Sequence, residues 1–276
     1  MPPAEQRLYG LSDLLRVMAR LRDPDTGCPW DLQQNFQSIV PSTLEECYEL
    51  AQAIEQGDYA HVAEELGDVL FQVVFYAQLG SELDLFSFET VIDTLVSKLI
   101  RRHPHVFANG EIEGIVDRVS SVDAVKSSWE SIKQEERNQK SQMGILADVP
   151  IALPALPRAQ KLQKRAARVN FDWPEPSDVL TKLEEEIAEL RQAMVSGEPA
   201  HLEDETGDVL FTCVNLARQL GVDAESSLRR ANNKFELRFK HMETRAAASG
   251  RSLSAMSDDE LDALWNAAKA EVALKG

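Results

Sequence analysis

The chain repeats itself, and a duplicated sequence has to build one structural unit twice. Leu44-Glu-Glu-Cys-Tyr-Glu-Leu-Ala-Gln-Ala-Ile54 returns as Glu184-Glu-Glu-Ile-Ala-Glu-Leu-Arg-Gln-Ala-Met194, and His61-Val-Ala-Glu-Glu-Leu-Gly-Asp-Val-Leu-Phe71 returns as His201-Leu-Glu-Asp-Glu-Thr-Gly-Asp-Val-Leu-Phe211. Both blocks are displaced by 140 residues. Further on, Lys98 and Arg102 match Lys234 and Arg238, and Trp129 and Lys133 match Trp265 and Lys269. There the displacement is 136 residues, so the copies differ by a small insertion or deletion. Four blocks in the same order mark a duplication. Between the copies, Asn138 to Pro157 carries Gly144, Pro150, Pro154 and Pro157 and reads as a linker. The expected division is a first domain over residues 1–140, a linker over 141–154 and a second domain over 155–276.

Each copy reads as helices. Leu50, Ala53 and Ile54 space as one helical face, and Gly57 ends that segment. Val62, Leu66, Val69, Leu70, Val73 and Val74 continue at helical spacing into Phe75 and Tyr76. Val91, Ile92, Leu95 and Leu99, and the stretch Leu228 to Phe239, supply further amphipathic helices, and no alternating strand pattern is convincing. The expected class is all-α, with two tandem helical bundles. Short turns at Gln56 to Tyr59 and at Ser196 to Pro199 predict a helical hairpin in each copy. A hairpin has to bury its apolar stripes, so neighbouring helices or a second chain must complete it.

Charge narrows the partners. Lys and Arg number 29 against 46 Asp and Glu, a formal net charge of −17. Such a surface repels nucleic-acid polymers and anionic membranes. It leaves room for a small anionic substrate wherever a bound cation or a basic cluster reverses the local field. The longest apolar run, Val69 to Leu79, is interrupted by Gln72 and Gln78 and is too short to span a bilayer. Cys28, Cys47 and Cys213 are far apart and form no C-x-x-C pair, which fits a reducing compartment without a disulfide framework or zinc site. Met1 to Gln6 shows no basic stretch leading into an apolar run, and a cytoplasmic location is expected.

The chemistry lies in the acidic residues. Each copy carries E-E-x-x-E, a turn, then E-x-x-D: Glu45, Glu46, Glu49, Glu65 and Asp68 in the first, Glu185, Glu186, Glu189, Glu205 and Asp208 in the second. On a helix, positions i, i+1 and i+4 fall within roughly a 100° arc, and i and i+3 lie one turn apart. An antiparallel hairpin would therefore let the two groups converge. Carboxylates crowded in a partly dry site repel one another, and a divalent cation removes that conflict. All-oxygen donors suit a hard ion, Mg²⁺ above all, with Mn²⁺ as a substitute. The four-residue spacing from His61 to Glu65 and from His201 to Glu205 does not match the E-x-x-H pairs of a ferritin-like di-iron site.

Basic residues supply the other half of a phosphate site. Lys234 and Arg238 are one helical turn apart, as are Lys98 and Arg102; Trp265 and Lys269 share a face, and Lys182 lies one turn before Glu185. Cations around a Mg²⁺ site are what a polyphosphate requires. Trp129 and Trp265 fit either a core or a stacking surface for a base. No phosphate-binding glycine loop, dinucleotide fingerprint or serine-nucleophile motif occurs, which points to metal-assisted hydrolysis by water.

Longer stretches carry a family likeness. With Gly27-Cys-Pro-Trp-Asp31, Arg101-Arg-His-Pro-His-Val-Phe107 and Leu156-Pro-Arg-Ala-Gln-Lys-Leu-Gln-Lys-Arg-Ala-Ala-Arg-Val-Asn-Phe-Asp-Trp173 added to the carboxylate motifs, the chain resembles the tandem-domain MazG nucleoside triphosphate pyrophosphohydrolases over nearly its whole length. The resemblance implies Mg²⁺-dependent hydrolysis of nucleoside triphosphates to the monophosphate and pyrophosphate by a homodimer, with the main activity in the second copy. It further implies that Glu186, Glu189, Glu205 and Asp208 hold Mg²⁺ and that Glu185 orients or deprotonates the attacking water. Lys182, Lys234, Arg238 and Lys269 would contact phosphates, and Trp265 would lie near the nucleotide. The family often has lysine where this chain has His201. In the first copy Glu46, Glu49, Glu65 and Asp68 are the matching ligands, but Ser42 stands where the second copy has Lys182. The competing expectations are a nonenzymatic helical regulator that senses a nucleotide or binds a partner, and a pyrophosphatase for one modified nucleotide.

Overall fold

The computed structural model describes residues 8–114, 121, 122, 125, 128, 129, 132, 136, 144–147 and 149–273. Among them the ordered elements are helices, with no strand. The chain divides into two units, Met1–Glu136 and Arg137–Gly276.

The first unit contains α1 (Leu11–Leu21), α2 (Pro29–Gln33), α3 (Phe36–Gln56), α4 (Tyr59–Glu82) and α5 (Phe88–Arg102). Asn35 opens α3 by accepting from the backbone N–H groups of Gln37 and Ser38 at 2.9 and 3.0 Å. Gly57 closes it at φ 72°, a left-handed conformation that costs glycine least. Asp58 then caps α4 through the His61 N–H. A two-residue turn leaves α3 and α4 no alternative to packing side by side and antiparallel.

Helix α4 is the centre of this unit, with α1, α3 and α5 packed on it. Met18, Ile39, Val74, Phe75 and Leu79 form the core, with Phe36, Phe71 and Tyr76 against it. At the far end Arg22 donates to Glu82 from both Nε (2.8 Å) and Nη2 (2.6 Å), tying the end of α1 to the end of α4. Gly80 is needed there, because a β-carbon would lie 2.5 Å from the Phe86 ring.

The second unit repeats the hairpin. It contains α6 (Ala155–Ala167), α7 (Pro176–Ser196), α8 (Pro199–Gln219), α9 (Ala224–Ala248) and α10 (Asp258–Ala273). Gly197, at φ 71°, ends α7 as Gly57 ends α3. Helix α6 lies against α8 and α9, and α10 packs on α9. Gln163 on α6 donates to the Phe211 carbonyl at 2.8 Å, a buried polar tie between α6 and α8. Helix α6 begins at Ala155, and Pro157 lies in its first turn, where a helix tolerates proline because that N–H has no intrahelical partner. No helix among the described residues is long and apolar enough to cross a membrane.

Candidate functional site

The two hairpins do what the motif spacing requires. In the first unit Glu46 and Glu49, one turn apart on α3, meet Glu65 from α4, with one ligand atom from each lying within 4.8 Å of the others. In the second, Glu186 from α7 meets Glu205 and Asp208 from α8 within the same distance. Of the expected ligands, Asp68 and Glu189 lie outside these compact triads. Both remain neighbours: Asp68 acts electrostatically on Glu46, and Glu186 and Glu205 act on Glu189.

The clusters are strained as anions. Burial pushes the Glu46 carboxyl above its usual range, and the charges of Asp68, Glu49, Glu65 and Glu45 push it further. Glu189 is also raised, mostly by loss of water; Lys182 opposes the rise, while Glu186 and Glu205 add to it. Glu65 is 6% exposed, and its Oε1 lies 2.6 Å from His61 Nε2. Its Oε2 is buried with no hydrogen-bond partner among the described residues. A buried carboxylate oxygen without a donor is costly, and a hard divalent cation satisfies it. The all-oxygen donor sets therefore fit such an ion.

The second unit carries a cation of its own. Lys182 Nζ lies 2.6 Å from Glu185 Oε1 and 2.9 Å from Glu186 Oε1. Hydrogen bonds to Glu185 and then Glu186 hold its ammonium charged well above the usual lysine range. At the corresponding place in the first unit Ser42 offers no charge.

The basic residues gather elsewhere in the second unit, on α9 and α10. Arg238 Cζ lies 5.7 Å and Lys269 Nζ 5.9 Å from the centre of the Trp265 ring, with Phe235 packed against the same ring at 5.4 Å. Lys234 is exposed one turn before Arg238. Arg238 Nε is buried without a hydrogen-bond partner among the described residues. No hydrogen bond or ion pair among those residues joins this group to the carboxylates.

The first unit has spent its equivalent arginine. Arg102, the match of Arg238, donates to Glu136 Oε2 at 2.5 Å, and Arg101 donates to Glu136 Oε1 at 2.7 Å. These contacts push the Glu136 carboxyl down to about 2. Trp129, the match of Trp265, lies 6.2 Å from the His103 ring. Lys133 lies outside the described residues.

Three contacts escaped the sequence reading. Glu136 is 35 residues from Arg101, and nothing in the local pattern announces the pair. Arg218 and Asp172, 46 residues apart, are likewise joined only by folding. The third had a signal: the four-residue spacing of His61 to Glu65 and of His201 to Glu205 puts each pair on one helical face, and the rings meet the carboxylates at 2.6 and 3.1 Å.

The likeness read from the motifs extends to known proteins. The MazG nucleotide pyrophosphohydrolase domain matches twice, at residues 34–107 and 175–243, and the two matches enclose the two carboxylate triads. The chain is 48% identical to the nucleoside triphosphate pyrophosphohydrolase of Escherichia coli strain K12, over 93% of this chain and 95% of that protein. It is 44% identical to the nucleoside triphosphate pyrophosphohydrolase/pyrophosphatase MazG of Thermotoga maritima, over 93% of this chain and 94% of that one. The nucleoside triphosphate pyrophosphohydrolase of Mycolicibacterium smegmatis is 30% identical over 97% of this chain and 73% of its own length. With both hairpins matched and such relatives aligned nearly end to end, the chain belongs to the MazG nucleotide pyrophosphohydrolase family.

Proposed function

We propose that this chain hydrolyses nucleoside triphosphates to the monophosphate and pyrophosphate, using Mg²⁺ (or Mn²⁺ in its place), with the second copy as the main catalytic unit. The observation that carries this reading is the convergence of Glu186, Glu205 and Asp208 from two helices of one hairpin, in a chain of this family. The choice of the second copy rests on a contrast in free charge. Arg238 has a buried Nε with no hydrogen-bond partner among the described residues, whereas its match Arg102 is held by Glu136. Lys182 stands beside the second cluster, whereas the first has Ser42.

Glu186, Glu205 and Asp208, with Glu189 beside them, would hold the metal ion. When bound, that ion would neutralise phosphate charge as it develops on the transferred group and the leaving pyrophosphate. Lys182, Lys234, Arg238 and Lys269 bind phosphate oxygens and stabilise the same charge. Trp265, backed by Phe235, offers its ring near the nucleotide. Glu185 takes the proton of the attacking water. Its carboxylate is paired with Lys182 at 2.6 Å, and a triphosphate, as a second anionic partner for that ammonium, frees Glu185 to act as base. Water attack at phosphorus forms the new P–O bond while the bridging α–β P–O bond breaks; pyrophosphate departs if the α-phosphorus is attacked, the nucleoside monophosphate if the β-phosphorus is. Hydrolysis in ¹⁸O-water shows whether the α- or β-phosphorus takes the new oxygen.

The functional form is a homodimer in the cytoplasm. In its support, Leu66, Leu70 and Val73 on α4, and Phe235 and Leu237 on α9, leave apolar side chains between 40% and 58% exposed. All three cysteines are free thiols, as a reducing compartment keeps them. Pyrophosphate release from a panel of ribo- and deoxyribonucleoside triphosphates tests the activity. Release is expected with Mg²⁺ and not with EDTA; no release from any triphosphate with either metal would overturn the proposal.

A further inference from the structure

One contact recurs in both hairpins and has no part in the reaction described so far. His61 Nε2 lies 2.6 Å from Glu65 Oε1, and His201 Nε2 lies 3.1 Å from Glu205 Oε1. The histidines are about half exposed, whereas the Glu65 and Glu205 side chains are 8% and 15% exposed. Glu65 and Glu205 each belong to the compact triad of their own hairpin. In each pair the imidazole Nε2–H is the donor and the carboxylate oxygen the acceptor.

Resting on the metal-dependent reading above, we propose that His61 and His201 are positioning residues that set the orientation of one metal-binding carboxylate in each copy. The hydrogen bond occupies Oε1 and leaves the second oxygen for the ion. In the first copy this division is visible: Glu65 Oε1 is taken by His61, and Oε2 is buried without a hydrogen-bond partner among the described residues. A free glutamate side chain samples several rotamers, and holding it in one lowers the cost of ordering the ligand when the ion arrives. Carboxylates that bind metals are themselves hydrogen-bonded in this way, and losing the outer partner typically costs about 10- to 100-fold in metal affinity or activity.

The alternative is an ordinary i, i+4 helix pair, which would support α4 and α8 and leave metal binding untouched. Three readouts separate the two. The full-length chain is titrated with Mn²⁺ alone and free Mn²⁺ is followed by electron paramagnetic resonance. Thermal unfolding is measured without metal, and pyrophosphate release is measured against Mg²⁺ concentration. His201→Ala is expected to weaken one class of Mn²⁺ site by about tenfold or more, and to raise the Mg²⁺ needed for half-maximal turnover in proportion. His61→Ala is expected to weaken the other class. His201→Gln, whose amide can donate to the same carboxylate, is expected to recover most of the affinity.

Unchanged Mn²⁺ affinity in both alanine variants overturns the proposal, whether or not the melting temperature falls. Failure of His201→Gln to recover any affinity also overturns it. Should the parent chain bind Mn²⁺ but release no pyrophosphate, the pyrophosphohydrolase reading fails on its own, and the Mn²⁺ titrations still decide the role of the histidines.

Discussion

The ammonium of Lys182 lies 2.9 Å from the carboxylate of Glu186, a side chain only 7% exposed, one turn further along α7. It also lies 2.6 Å from Glu185. One lysine thus lowers the charge of a carboxylate cluster that repels itself, while remaining close enough to the carboxylates proposed to hold the metal to meet an incoming phosphate.

That double position gives Lys182→Met effects of opposite sign. Removing the ammonium leaves the second cluster more negative, so a divalent cation alone binds more tightly. The triphosphate loses a charged donor and binds more weakly. Taking hydrogen bonds to charged groups at about 1.5–3 kcal/mol, KM for the nucleotide rises roughly 10- to 100-fold. Steady-state kinetics at varied nucleotide and varied Mg²⁺ check this; a rise in both KM and the Mg²⁺ requirement would mean that Lys182 chiefly supports the ligands' geometry.

The division of labour between the copies is tested by the paired changes Glu189→Gln and Glu49→Gln. Each removes one charge, Glu49 from within its triad and Glu189 from beside the other, and keeps the side-chain shape. Glu189→Gln is expected to lower kcat/KM by roughly 100-fold, as loss of a metal-site carboxylate does. Glu49→Gln is expected to leave it within about twofold, although Glu49 is a member of the first triad, because Arg102 in that copy is committed to Glu136. The opposite pattern would move catalysis to the first copy.

Glu136 predicts how the first unit responds to acid. Its carboxyl is pushed from 4.5 down to about 2, first by the Arg102 hydrogen bond. A depressed folded-state value means the pair stabilises the fold above about pH 4.5 and loses that contribution as the pH falls toward 2. Because Arg101 is more than half exposed, solvent screening limits the net effect to about 1 kcal/mol. Glu136→Gln is therefore expected to lower the melting temperature by about 2–4 °C at pH 7. The gap between variant and parent should close as the pH is lowered. A gap that stays constant down to pH 3 would show that the pair acts through packing rather than charge.

Much of the architecture was legible in the residues alone. The duplication, the helical class and the two hairpin turns follow from repeat blocks, 3.6-residue periodicity and helix-ending glycines, all of which are local properties of the chain. Gly57 and Gly197 are legible for this reason: each is the cheapest residue for a left-handed helix end, and each stands where the apolar stripe stops. The arc on which each carboxylate stands was equally fixed by spacing. Which of them meet was not. Glu49 joins the first triad and its match Glu189 does not join the second; Asp208 joins the second triad and its match Asp68 does not join the first.

Spacing determines where a Cα–Cβ bond points, but a glutamate has further torsions, and its carboxylate settles where neighbours from other parts of the chain direct it. Lys182 does so for Glu186, and the recurring histidines do so for Glu65 and Glu205. The same limit hid the capture of Arg102 by Glu136 and the open donor on Arg238, since both depend on residues brought together across more than two dozen positions or left unmatched by the fold. The sequence by itself determined the two helical hairpins and the side of each that is acidic. Only tertiary packing decided which oxygens converge and which cations stay free, because those outcomes come from long-range contacts competing for flexible charged side chains.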